Sequence, residues 1–94
     1  MTEDRFTSVW DALEDSSAEA ANMKARATLM AALQEAIASW QLTQVESAKK
    51  LGVTQPRMND LLRGRIDKFS LDALMLLASS AGLTIEWRVV QNAA

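Results

Sequence analysis

The residues that interrupt helices are concentrated in one place. The chain holds three glycines and one proline, and Gly52, Pro56 and Gly64 all fall between Leu51 and Arg65, leaving Gly82 nearer the C-terminal end. A segment so interrupted has room for two short helices joined by a tight turn. Thr43 with Glu46 three residues on is a capping-box pattern, and the helix that it opens carries Val45, Ala48 and Leu51 before stopping at Gly52. Thr54 caps the next helix, with Pro56 in its first turn, where a missing backbone N–H does no harm. Met58, Leu61 and Leu62 supply the buried face of that helix, and Gly64 ends it. Ala48 is small enough for the second helix to lie close across the first. The N-terminal half of the second helix then faces outward with Thr54, Gln55, Arg57, Asn59 and Asp60.

The flanks supply the rest of the bundle. Phe6, Val9, Trp10 and Leu13 fall at helical spacing and predict a short amphipathic helix over 6–15. Ser16 followed by Glu19 predicts a fresh helix start, and that helix runs to about Trp40 on a stripe of Leu29, Met30, Leu33 and Ile37. Ser70 caps a last helix with Leu71, Leu74, Leu77 and Ala78 inward and Gly82 at its end. From Thr84 to Val90, Ile85, Trp87 and Val89 alternate with polar residues, a strand pattern. The expectation is an all-α bundle of about five helices with a short C-terminal β-strand. Its parts are an N-terminal amphipathic segment (1–15), a helix-turn-helix domain (16–83) and a C-terminal strand and tail (84–94).

Composition narrows the chemistry. The chain has no histidine and no cysteine, which removes imidazole and thiolate nucleophiles, the usual zinc ligands and any disulfide. No pair of acids stands in an apolar frame that would tune it for acid–base work. An enzyme is therefore a poor expectation, and neither a cofactor nor a metal is called for. The acidic opening Met1-Thr2-Glu3-Asp4 is unlike a signal peptide, and no apolar run is long enough for a membrane span, so a cytoplasmic, nucleoid-associated place is expected.

The formal net charge is −2, yet it is unevenly spread. From Trp40 to Lys68, Lys49, Lys50, Arg57, Arg63, Arg65 and Lys68 outnumber Glu46, Asp60 and Asp67 two to one, whereas acids dominate before Trp40. A basic centre with acidic flanks suits nucleic acid on one face.

The run Gln44…Ala48…Gly52-Val53-Thr54-Gln55…Leu61…Gly64 resembles the helix-turn-helix of the phage-repressor-like (Xre) family. A narrower likeness, to small Xre proteins that are commonly HigA-like antitoxins repressing their own promoters, rests on further landmarks. They are Ser8-Val9-Trp10-Asp11-Ala12, Leu42-Thr43-Gln44, Asp60-Leu61-Leu62-Arg63-Gly64-Arg65 and Phe69-Ser70-Leu71-Asp72. The resemblance implies a lambda-repressor-like bundle and a transcriptional repressor. The chain departs from the family at Ser47, where an apolar residue or alanine is usual, and at Pro56, where other repressors carry a base-reading glutamine.

On this resemblance Gln44 contacts a phosphate at the start of its helix. Gln55 is suited to adenine N6 and N7. Arg57 is suited to guanine, or equally to a phosphate or a pair with Asp60. Asp60 orients Arg57 or Arg63, or accepts from cytosine; Asn59 faces DNA or solvent; Thr54 lies on the same polar face. Arg63, Arg65 and Lys68 clamp phosphates, which sets register and not sequence. Ile85, Trp87 and Val89 would pair with their copies in a second subunit, because a lone strand is not stable. The expected partners are a near-palindromic DNA operator, a second copy of the chain and a toxin protein, for which the N-terminal acids suit a basic surface. Two alternatives stay open: a stand-alone phage-type repressor, and a protein-interaction module without DNA binding.

Overall fold

The computed structural model describes the backbone of residues 2–92 and the side chains of residues 17–92. Among the described residues four α-helices occur in order: α1 (Thr2–Trp40), α2 (Gln44–Leu51), α3 (Gln55–Leu62) and α4 (Leu71–Ser80). A single 3₁₀ turn, Ile66–Lys68, joins α3 to α4. The expectation of about five helices is corrected at the N-terminus, where the two predicted helices are one, α1, of 39 residues. Neither glycine nor proline occurs before Gly52, and alanines crowd the stretch after Ser17, so the backbone has no reason to leave the helix at Ser16. A capping-box pattern caps only where the chain turns. The side chains of Phe6 and Trp10 lie outside the described residues.

One cluster holds the elements together. Met30, Leu33 and Ile37 from α1 meet Ala48 and Leu51 from α2, Met58 and Leu61 from α3, Phe69 from the joining loop, and Leu74 and Ala78 from α4. Burying each of the larger side chains is worth about 1.5–3 kcal/mol. That burial matters most for α2 and α3, each 8 residues long. Helices so short do not persist alone in water, and tertiary packing supplies what propensity cannot.

The second correction concerns the C-terminus. Among the described residues no strand is present; residues 83–92 carry no regular secondary structure. A strand exists by its ladder, and within one chain Thr84–Val90 has none to join. Leu83 and Ile85 lie against the core instead, while Trp87 and Val89 are 65% and 93% exposed.

α2, α3 and α4 end alike. The N–H of the residue after the glycine reaches back to the carbonyl five residues earlier: Val53 to Ala48 at 3.0 Å, Arg65 to Asp60 at 3.0 Å and Leu83 to Ala78 at 2.9 Å. Gly52, Gly64 and Gly82 all have positive φ, as this closure requires. α1 ends with Gln41 in that conformation, at φ 54°, where a side chain is strained. Gln41→Gly is therefore expected to stabilise the protein by roughly 0.5–1 kcal/mol, the left-handed penalty less glycine's extra unfolded-state entropy. Urea denaturation checks this; an unchanged or lower midpoint contradicts it.

Candidate nucleic-acid interface

The two short helices begin with well-formed caps. Thr43 Oγ1 accepts from the Glu46 N–H at 3.1 Å, and Glu46 Oε1 accepts from the Thr43 N–H at 3.0 Å, so the expected capping box is closed. The Thr43 backbone N–H, and after it the Thr43 hydroxyl, hold the Glu46 carboxyl below its ordinary pKa. Thr54 Oγ1 accepts from the Arg57 N–H at 3.3 Å, which makes Thr54 a structural cap whose hydroxyl proton is still free to donate. Gln44, at the first position of α2, is exposed, and so are Gln55 and Pro56 at the start of α3.

The outward side of α3 follows from its inward side. Met58 and Leu61 are buried, so at 3.6 residues per turn the opposite stripe holds Pro56, Asn59, Asp60 and, just past the helix, Arg63. Gln55 lies at the edge of this stripe. Asn59 and Asp60 are half-buried and Arg63 is exposed. Asp60 is paired, but with neither Arg57 nor Arg63: its carboxylate meets Arg65 Nη1 at 3.2 Å. The Arg65 N–H also bonds the Asp60 carbonyl in closing α3, and that bond brings the two side chains together. Arg65 and Lys68 are exposed on the loop that follows.

Arg57 is placed otherwise than its neighbours. It flanks the buried face, its guanidinium lies 3.9 Å over the Phe69 ring, and Nη1 donates to the Lys68 carbonyl at 2.6 Å. Lys50 sits 4.4 Å over the ring of Trp40.

Three contributing residues escaped the sequence reading. Arg26 of α1 donates through Nη1 to the carbonyls of Ile66 (3.1 Å) and Phe69 (3.3 Å), while its Nε bonds Asn22 Oδ1 at 2.7 Å. Gln34 Nε2 donates to the carbonyls of Leu61 (3.0 Å) and Leu62 (3.4 Å), capping the C-terminal end of α3. Phe69 is buried. Signals for two of them exist. Arg26 stands on the same stripe as Met30, Leu33 and Ile37, a charge on an apolar face that calls for a partner. Phe69 precedes the Ser70 cap, with Leu74 at the matching position one turn in, which is the hydrophobic-staple pattern. Ser47, the family departure, is buried, and among the described residues no buried side-chain polar atom lacks a partner.

The result is an outward polar face made from α3, the start of α2 and the loop to Lys68, with Arg63, Arg65 and Lys68 exposed on it. Two cavities among the described residues, of about 450 and 540 Å³, lie between α1 and the C-terminal segment, and no residue of α2, α3 or this loop lines either. Among the described residues no helix is long and apolar enough to cross a membrane. A sequence model described as a helix-turn-helix domain matches residues 12–90.

The chain belongs to the helix-turn-helix domain family.

Among solved structures, this helix-turn-helix protein is similar to one described as an XRE-family transcriptional regulator. The TM-score is 0.72 at 26% identity, over 79% of this chain and 83% of that one. No curated protein matches the sequence.

The capping box gives the interface a pH dependence. Glu46 has a lowered pKa in the folded state, so its contribution is present above the ordinary carboxylate range and is lost as pH falls through that folded-state value. Glu46→Gln removes this group from the titration. Its stability-against-pH profile between pH 6 and pH 3 is expected to be shallower than that of the parent chain, as read by thermal melts; parallel profiles contradict the assignment.

Proposed function

We propose that this helix-turn-helix protein is a sequence-specific DNA-binding transcriptional regulator that represses a promoter. The observation that carries the proposal is the outward face just described: hydrogen-bonding side chains on a helix stripe turned from the core, with exposed cations immediately beside them. A convex helix fits the major groove, where each base pair presents its own pattern of donors and acceptors. Gln55 and Asn59 are assigned to base edges, where a carboxamide can both donate and accept. Gln44, Arg63, Arg65 and Lys68 are assigned to phosphates, and Thr54 and Asp60 hold the ends of α3 in place. The likeness to an XRE-family transcriptional regulator supports the same assignment.

The regulator works as a homodimer. The exposed Trp87 and Val89 leave apolar surface on the C-terminal segment that favours pairing of two copies there. Two α3 helices then enter successive major grooves roughly 34–36 Å apart. Hydroxyl-radical footprinting on the gene's own upstream DNA is expected to show two protected patches one helical turn apart on one face of the duplex. Replacing Trp87 by Ser together with Val89 by Lys is expected to give monomers in sedimentation and to weaken the paired footprint. Uniform cleavage at all concentrations rules out the regulator assignment, and a variant that stays dimeric rules out pairing through this segment.

The finer assignment is an antitoxin, the role that the resemblance of the Arg63-Gly64-Arg65 and Phe69-Ser70-Leu71-Asp72 landmarks implies. Co-expression with the product of the adjacent reading frame is expected to yield a stoichiometric complex on gel filtration. Independent elution leaves a stand-alone repressor.

A further inference from the structure

The loop from Gly64 to Phe69 is gripped from two sides. From α1, Arg26 Nη1 reaches the carbonyls of Ile66 and Phe69; from α3, Arg57 Nη1 reaches the carbonyl of Lys68 at 2.6 Å. The Lys68 and Phe69 carbonyls lie at and just past the end of a one-turn 3₁₀ helix, while the Ile66 carbonyl, at its start, also accepts from the Phe69 N–H at 3.2 Å. The face of the Arg57 guanidinium is also occupied, 3.9 Å from the Phe69 ring, and Phe69 is buried and cannot move aside without opening the core. A fork pairing with guanine needs two N–H groups in one plane and free access to the groove. Of the five N–H groups of Arg57 only one on Nη1 is spent on Lys68, but that bond and the ring beneath fix the plane, so the guanidinium cannot swing to the groove without leaving both.

We infer that Arg57 is a positioning residue: it anchors the basic loop so that Lys68 and Arg65 meet the DNA backbone, and it leaves the reading of bases to its neighbours on α3. The inference rests on the DNA-binding assignment above and deepens it. Arg57 lies in the recognition helix by sequence, but its bonds run to the loop behind that helix. The loop is where backbone-directed charge is exposed, and Arg57 donates to the main-chain carbonyl of Lys68, one of those charged residues.

The test is a double-mutant cycle with a stability control. Binding to the upstream fragment and to random duplex is measured for the parent chain, Arg57→Ala, Arg57→Lys, Lys68→Ala and the Arg57→Ala/Lys68→Ala double variant. Positioning predicts that Arg57→Ala weakens both duplexes severalfold by the same factor, and that its effect shrinks when Lys68 is already gone. Arg57→Lys, which keeps a cation able to reach the carbonyl and the ring, recovers most of the loss. A loss confined to the upstream fragment makes Arg57 a base reader and overturns the inference. Equal losses that are fully additive with Lys68→Ala make it a phosphate contact of its own and overturn it as well.

Amide hydrogen exchange without DNA separates failure of this inference from failure of the DNA-binding assignment. Exchange at Lys68 and Phe69 is expected to accelerate in Arg57→Ala while Leu33 and Leu61 stay protected. Unchanged protection at Lys68 and Phe69 overturns the anchoring role whether or not the protein binds DNA. If Arg57→Ala does not fold, Arg57→Gln, which keeps a donor and removes the charge, is read in the same way.

Discussion

The recognition surface depends on the burial of Met58 and Leu61. Both side chains are almost wholly inside the cluster built on Leu33 and Leu74, and their removal from water is what makes an eight-residue α3 persist. Fixing those two residues also fixes the rotation of the helix, and so decides that Pro56, Asn59 and Arg63 point outward. α1 provides the floor for this packing and then adds polar detail. Gln34 closes the far end of α3, and Arg26 closes the loop beyond it. A helix distant in sequence thereby sets the geometry of the face that it does not join.

Charge is used in two ways. Arg26 and Arg57 are turned toward main-chain carbonyls, where each guanidinium ties the loop to its own helix. Arg63, Arg65 and Lys68 are left toward solvent. Asp60 does not spoil this face, because Arg65 lies beside it and the pair is partly exposed. Such a pair contributes little to stability, in the range of about 0–1 kcal/mol, and its effect is to direct the Arg65 side chain. The acidic net charge of the chain is thus compatible with a basic interface, since the acids gather in the N-terminal half.

Much of the fold was legible because helix ends are local events. Thr43, Thr54 and Ser70 cap as their positions suggest, and Gly52, Gly64 and Gly82 close three helices through the same hydrogen-bond pattern. The continuity of α1 through Ser16 was not legible, because a capping pattern alone does not end a helix: without glycine or proline nearby, the helical path continues. The strand at Thr84–Val90 was misplaced for a different reason. Its alternation is real, but hydrogen bonds to a second strand are a property of two segments, and the chain offers one. The outward set on α3 could be named from the sequence. The engagement of Arg57 could not, since it depends on the Phe69 ring and the Lys68 carbonyl, brought close only when the loop folds back.

The central claim is that this face recognises particular DNA through base edges while its cations hold the backbone. Fluorescence anisotropy of the purified protein on its own upstream fragment and on random duplex, across a salt series, tests it most directly. The account predicts tighter binding to the upstream fragment, with affinity for both falling steeply as salt rises, because displaced counterions accompany each neutralised phosphate. Equal, salt-insensitive affinity for the two duplexes, or none for either, would contradict it.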